Sequence, residues 1–566
     1  MSYIDWIVMF GTLIFIGAYG IYKTRQTKNI DGYLRGNNEN NWWGIGLSVM
    51  ATQASAVTFL SLPGQAFDDG MRFVQFYFGL PIAMIIICVF FIPMYYRLKV
   101  YTAYEFLENR FDYKTRALTA ILFLIQRAMG AGITIYAPAI ILSQLLHWDL
   151  NYTIIFIGTA TTLYIILGGS KAIAITHKQQ MAVIFLGMFV AFGYLIYYLS
   201  QHMNISQMVR LSGDLGKLNM VNFNFNWNDK YNIWSGIIGG LFLQLSYFGA
   251  DQSQVGRYLG GQSIKQSRLG LLMNGLLKIP MQLFILSCGI LVFLFYQFNQ
   301  PPVYFDEVAL NKVRNSEYAD SLNMYEQQLN ENFIEQSAAI DYYLNDMDQP
   351  LNININKAQT DSINKKINQI VTKVNPGVNE DHDFVFMTFV LNYLPAGLIG
   401  LLFAVIFCAS FSSKSSEINA LAATFVVDIY KRKFKKSGSD EHYLNASKLA
   451  TLFFALLAVG FALISSLFDN LIEAVNIIGS LFYGTILGVF LTAFLLKSVK
   501  GNAVFIAAVI SEIIIIYIDQ TLRHPEWGLP TLHVGYLWYN VIGCFLVMGL
   551  SFGLQAVWKI GKPKSY

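Results

Sequence analysis

Thirteen apolar stretches recur along this chain, each long enough to cross a bilayer's hydrocarbon layer of roughly 30 Å as a helix of about 20 residues. They cover residues 5–23, 43–65, 73–96, 117–146, 151–168, 179–199, 233–252, 270–297, 386–412, 443–468, 470–496, 502–519 and 533–557. Two of them are interrupted. The second gathers Gln53, Ser55 and Thr58 among small residues from Ala51 to Thr58, a composition that supports an unwound turn with free backbone carbonyls. The seventh carries Gln244, Ser246, Asp251 and Gln252. Broken helices five spans apart predict paired inverted repeats, spans two to six and seven to eleven, with a solute site at mid-depth between them. From the second stretch alone, an unbroken helix packing its small residues on a neighbour is an equal alternative. Asp251 is expected at the inner end of its helix, in contact with water.

The ninth stretch ends at Ser412, and Ser413 follows it. An unpaired hydroxyl in hydrocarbon costs on the order of 1–3 kcal/mol, so these two back-bond to their helix or face a ligand that uses oxygen, such as a dehydrated alkali cation. Arg127 lies near the middle of the fourth stretch. Arginine at the bilayer centre costs at least about 2.5–3.5 kcal/mol on insertion scales and requires a partner. The residues leave two choices, a substrate carboxylate matched by the guanidinium fork or an internal acid such as Asp251. Lys414 is expected to pair with Glu417, three residues on.

Composition agrees with the pattern. The 566 residues are 55% hydrophobic and 13% charged, with a mean hydropathy of +0.44, which places the chain among polytopic, all-α integral membrane proteins. The first stretch has Asp5 at its start and no basic lead-in, which reads as a retained helix rather than a signal peptide. Basic residues cluster after odd-numbered stretches: Lys23, Arg25, Lys28 and Arg35; Arg97, Lys99, Arg110, Lys114 and Arg116; Lys171 and Lys178; Arg257, Lys265 and Arg268; 431–436; and Lys559, Lys562 and Lys564. The N-terminus is therefore expected outside and the C-terminus inside, in the plasma membrane or a bacterial inner membrane.

The outward connection 298–385 is acidic and longer than a compact bundle needs. Leu322, Tyr325, Leu329 and Phe333 recur at helical spacing and predict a small helical cap. The expected divisions are an extra N-terminal span and inner loop (1–41), a first repeat (42–200), the start of a second (201–297), the insert (298–385), the rest of the second repeat (386–500) and extra C-terminal spans (501–566). The four cysteines sit in predicted spans without metal-ligand spacing. No catalytic constellation appears, so neither an enzyme nor a nucleic-acid binder is expected.

Ala51-Thr-Gln-Ala-Ser-Ala-Val-Thr-Phe59, Val100-Tyr-Thr-Ala-Tyr-Glu-Phe-Leu-Glu-Asn-Arg-Phe111, Tyr136-Ala-Pro138, Gly168-Gly-Ser-Lys-Ala172, Leu394-Pro-Ala-Gly-Leu398, Ser412-Ser413 and Asp428-Ile-Tyr-Lys431 occur in an order that resembles the sodium/solute symporter family. The resemblance implies a leucine-transporter-type fold of inverted five-helix repeats plus extra helices. It implies sodium-coupled import of a small organic solute by alternating access, with sodium as coupling ion and no other cofactor. The implied partners are sodium, the solute and the bilayer. The sodium ligands implied by register are the carbonyls of Ala51, Ala54 and Ala409 and the hydroxyls of Ser412 and Ser413. All are oxygen donors, suited to a hard cation.

A second sodium in some members uses an Asp that reads here as His177, which implies one coupled sodium. The sugar-binding positions fall on Thr58, Tyr77, Leu80, Gly130, Lys278 and Val475, so galactose-like recognition is not expected. Similar members use an arginine on the fourth span for a substrate carboxylate. An acidic sugar or carboxylate is thus favoured and a neutral sugar is the alternative, with Gln53, Thr58, Gln75, Arg127, Tyr247 and Lys278 as substrate residues. The other functional alternatives are coupling to protons or to nothing, through His177 or Lys414, and a transporter-derived solute sensor.

Overall fold

The computed structural model describes residues 1–24, 41–98, 100–146, 148–347, 354–375, 381–464 and 471–560. Arg25, Lys28, Arg35, Lys99, Lys562 and Lys564 lie outside the described residues, as do the side chains of Lys23, Lys171 and Lys559. Among the described residues the chain forms helices and no strands. Nine helical runs are long and apolar enough to span a membrane, and Tyr3–Tyr19, Leu150–Leu163 and Ser235–Gly249 are shorter apolar ones. Together they cover all thirteen apolar stretches, because the run Ala56–Leu98 holds parts of two.

Three boundaries differ from the sequence expectation. The fifth and sixth stretches fall in one helical element, Leu150–Leu199, which no proline interrupts. The ninth divides at Pro395 and Gly397 into Val385–Tyr393 and Leu398–Thr424, so it does not end at residue 412. Ser412 and Ser413 lie inside the longer piece, which continues because the polar residues beyond them are also buried in protein. Gly397 has φ +90°, a left-handed conformation that glycine adopts without Cβ strain. The Asp5 carboxylate accepts from the Gly397 and Gly400 N–H groups at 2.6 and 3.1 Å, so the first helix caps the start of Leu398–Thr424.

Both expected breaks are present. Trp42–Gln53 and Ala56–Asp69 are separated by Ala54 (ψ 73°) and extended Ser55 (ψ 169°). Gly240–Gly249 and Gln252–Leu259 are separated by Ala250 and Asp251. The helix Ile264–Phe298 crosses the first broken helix so closely that a Cβ on Gly289 would lie 2.2 Å from the Pro63 carbonyl. The insert forms the helices Glu307–Arg314, Ala319–Asn345 and Asn354–Val374 around a small core of Tyr304, Val313, Leu322, Ile367 and Val371. Its end packs on the first broken helix, where a Cβ on Gly64 would lie 2.0 Å from the His382 carbonyl.

Candidate transport site

A helix that stops leaves the carbonyls of its last turn without i+4 partners. At the end of Trp42–Gln53 these carbonyls turn to side chains. Ser412 Oγ donates to the Ala51 carbonyl (3.0 Å) and to that of Ala409 (2.9 Å), and Ser413 Oγ donates to the Ala409 carbonyl (3.1 Å). Ala51, Ala54, Ala409, Ser412 and Ser413 are all at most 1% exposed. The structure thus brings oxygen atoms 361 residues apart into contact at the break. His177, buried beside them, spans the same two helices: Nδ1 is 3.0 Å from Ser48 Oγ, and Nε2 is 3.2 Å from the Ser412 carbonyl.

A cavity of about 110 Å³ opens against the first break and against Gly240–Gly249, the helix that leads into the second. Of the substrate residues expected from sequence, Gln53, Thr58, Arg127, Tyr247 and Lys278 line it. Tyr77 and Val475 do too, whereas Leu80 and Gly130 are not among the lining residues. Gln75 is elsewhere. Its amide donates to the Tyr231 carbonyl (2.9 Å) and its oxygen accepts from Asn222 N–H (3.0 Å), fastening the loop before the seventh span. A buried Gln two residues from cavity-lining Tyr77 gives no signal in sequence of which way it turns.

Arg127 is held by internal acids at the cavity wall. It is ion-paired to Asp251 and, at 3.1 Å, to Glu417, and it donates to Tyr483 Oη at 2.7 Å. Tyr483 in turn donates to Asp251 (2.9 Å), and Thr134 Oγ1 donates to Glu417 (3.1 Å). Asp251 is 2% exposed, so it is not in water at a helix end. It caps Gln252–Leu259 by accepting from Ser253 N–H at 2.8 Å. Glu417 pairs with Arg127, and the expected Lys414–Glu417 bridge is absent: Lys414 Nζ is buried without a hydrogen-bond partner among the described residues.

Lys278 differs from Arg127. It is 2% exposed and lines the cavity with Nζ 5.7 Å from the Tyr77 ring centroid, and among the described residues no carboxylate pairs with it. Tyr247 stands below the Arg127 guanidinium, 5.4 Å from the ring centroid, and its hydroxyl accepts from Gln254 Nε2 at 2.7 Å. The sequence reading did not name Gln244, Asn476 or Tyr483 as site residues, yet all three line the cavity. Gln244 stood inside a recognised break, while Asn476 and Tyr483 sit on an otherwise apolar span that gave no such signal. Among the described residues no group of three His, Cys, Asp or Glu is placed to hold a metal ion.

A model of the sodium:solute symporter family matches residues 33–322 and 363–510. The chain belongs to this family. It is a multi-pass membrane symporter rather than an enzyme, coupling solute transport to sodium. Over 275 residues it is 34% identical to the sodium-coupled monocarboxylate transporter 1 of Homo sapiens, covering 48% of this chain and 44% of that protein. Over 553 residues it is 24% identical to the sodium/sialic acid symporter SiaT of Proteus mirabilis, covering 97% and 94%. The chain therefore spans less than half of the human relative but nearly all of the bacterial one. A solved sodium-coupled sialic acid symporter, substrate-bound and outward-open, superposes with a TM-score of 0.74 at 22% identity over 98% of both chains, which establishes the leucine-transporter-type fold.

Proposed function

We propose that this symporter imports a small organic anion of monocarboxylate size together with one sodium ion, the insert facing outside and the C-terminus inside. The observation that carries this reading is the contrast between two buried cations at one cavity. Arg127 is taken by two carboxylates, and Lys278 faces the cavity without one. A lysine in that position lowers its own desolvation cost by binding an anion.

The cavity size limits the anion. An apolar cavity of about 150 Å³ takes a benzene-sized ligand of six non-hydrogen atoms, so about 110 Å³ takes roughly four or five in this conformation. Gln53, Thr58, Gln244 and Asn476 supply hydrogen bonds for the rest of the solute, and Tyr247 supplies a flat wall. That the human relative is a sodium-coupled monocarboxylate transporter supports this size.

Sodium binds in this proposal between the carbonyls of Ala51, Ala54 and Ala409 and the hydroxyls of Ser412 and Ser413. Those hydroxyls now donate to carbonyls; with a cation present they turn their lone pairs toward it and the carbonyls do likewise. That exchange joins the broken helix to Leu398–Thr424 and couples ion occupancy to the shape of the adjoining cavity. His177, engaged with Ser48 and Ser412, stands where a second site would need a carboxylate, which supports a single coupled ion. The two repeats, 42–200 and 201–500 less the insert, supply one broken helix each.

The test is uptake into proteoliposomes of radiolabelled lactate, propionate and sialic acid, with and without a sodium gradient. Lactate or propionate should enter only with sodium, with hyperbolic sodium activation. Uptake of sialic acid in preference to both would overturn the size argument. A Hill coefficient near two would overturn the single ion.

A further inference from the structure

The insert and the bundle together enclose a second cavity of about 500 Å³, within the range of small-molecule sites. It shares no lining residue with the central cavity. Thr58 lines the central cavity and Asp68 the second one, ten residues farther along the same helix, or about 15 Å at 1.5 Å per residue. Leu329, Phe333, Gln336, Thr360 and Asp361 in its wall fall between residues 322 and 363, the segment that the family model leaves unmatched. This wall is a property of the chain's own insert.

Its chemistry is specific. Flat aromatic faces form one part: Phe67 meets Phe293, Tyr296 and Phe305 edge-on at 5.6, 6.1 and 5.8 Å. Carboxamides form another, with Gln297, Gln336, Asn364 and Asn368 drawn from both bundle and insert. Gln336 Nε2 donates to Gln297 Oε1 at 2.7 Å, tying the two sides together. Both basic residues in the wall are committed. Lys217 Nζ donates to the Phe67 and Asp68 carbonyls at 2.6 Å and lies 4.2 Å from the Phe293 ring centroid, and His382 pairs with Asp68. Asp68, Asp361 and Asp381 line it as well, Asp381 accepting from the Phe305 N–H, so carboxyl groups outnumber the one lysine in the wall. Tyr296 is 3% exposed and its hydroxyl has no hydrogen-bond partner among the described residues. Asp68, Asp361 and Asn364 are exposed, which opens the cavity to solvent.

We infer that this cavity is a second solute site, selective for a neutral saccharide of one to two pyranose rings. The C–H face of a pyranose stacks on aromatic rings, and its hydroxyls need neighbours that both donate and accept. Carboxamides and a phenol do both, and carboxylates accept. A monocarboxylate, the proposed cargo of the central cavity, has no ring of hydroxyls and would add a negative charge to a wall that already holds three carboxyl groups. An occupant would touch Phe67 and brace the end of the helix whose other end opens on the central cavity.

The test uses the purified full chain in detergent with sodium, reading thermal stabilisation by D-glucose, N-acetyl-D-glucosamine, tetramethylammonium and lactate. At least one of the two sugars should stabilise the wild type and Lys278→Gln equally. Phe333→Ala and Asn364→Ala should each weaken that sugar by about tenfold while sodium-driven uptake of the transported anion stays within about twofold. Asn364 is exposed, so its variant keeps the test decisive should Phe333→Ala misfold. The proposal is overturned if neither sugar stabilises the protein at tens of millimolar or if both variants bind it as the wild type does. It is equally overturned if Lys278→Gln abolishes the effect, which would place the sugar in the central cavity, or if tetramethylammonium binds and the sugars do not. A failure of lactate transport leaves this result untouched.

Discussion

Replacing Arg127 and Lys278 by glutamine, one at a time, separates two roles that a buried cation can have. Arg127→Gln strips Asp251 and Glu417 of their shared positive charge. Asp251 keeps its bonds from Ser253 and Tyr483, and Glu417 keeps its bond from Thr134, but neither carboxylate retains a cation. Breaking a buried pair by removing one partner costs about 3–5 kcal/mol, a large part of a typical folding free energy of about 5–15 kcal/mol. Folded yield and apparent melting temperature should both fall, and transport should be lost for every solute whatever its charge. Adding Asp251→Asn and Glu417→Gln to the R127Q background should restore much of the melting temperature. Lys278→Gln abandons no acid among the described residues, so its yield and melting temperature should stay at wild-type values. What it removes is a charge-assisted hydrogen bond to substrate, worth about 1.5–3 kcal/mol, or roughly 10- to 150-fold in KM for an anionic solute at 1.4 kcal/mol per tenfold. Fluorescence size-exclusion yield, melting curves and proteoliposome KM values measure all three quantities. If Arg127→Gln has wild-type yield and melting temperature and raises only the anion KM, the guanidinium contacts the substrate and the ion-pair reasoning is refuted.

Ser412→Ala and Ser413→Ala should each raise the sodium concentration for half-maximal uptake several-fold with folded yield retained, and unchanged sodium dependence in both would remove the assignment. Asp5→Ala should lower the melting temperature by the loss of a helix cap, about 0.5–2 kcal/mol, because its carboxylate accepts from Gly397 and Gly400; a wild-type melting curve would contradict this. Burial pushes the Asp381 carboxyl up from its ordinary 3.8 to about 6, so the fold favours the neutral acid. That contribution is complete below about pH 4 and is lost as pH rises through about 6. Asp381→Asn should therefore raise the melting temperature at pH 7.5 and leave it unchanged near pH 4, and a shift of equal size at both would refute the assignment.

Most of the fold was legible in the sequence because a bilayer imposes one rule on every span: about 20 apolar residues with all backbone groups paired internally. Both interruptions were visible for the same reason, since Gln53, Ser55 and Asp251 have no reason to stand in an apolar run unless something in the protein uses them. Ser412 and Ser413 announced themselves in the same way. A helix in the insert was legible from spacing, as Leu322, Tyr325, Leu329 and Phe333 fall on one face of Ala319–Asn345.

Partner choice was left to the tertiary structure. Arg127 had several acids to choose from, and its sequence context could not rank a substrate carboxylate above Asp251. Packing supplied two acids, Glu417 at one terminal nitrogen of the guanidinium and Asp251 at the other. Lys414 and Glu417, three apart on one helix, looked like a pair, but Glu417 was claimed by a different helix. Gln75 lay close in sequence to cavity residues and turned away, because Tyr231 and Asn222 met its amide first. Apolar periodicity is a local property that sequence carries in full, whereas the pairing of buried charges depends on which helices become neighbours, and that is fixed only when the bundle closes.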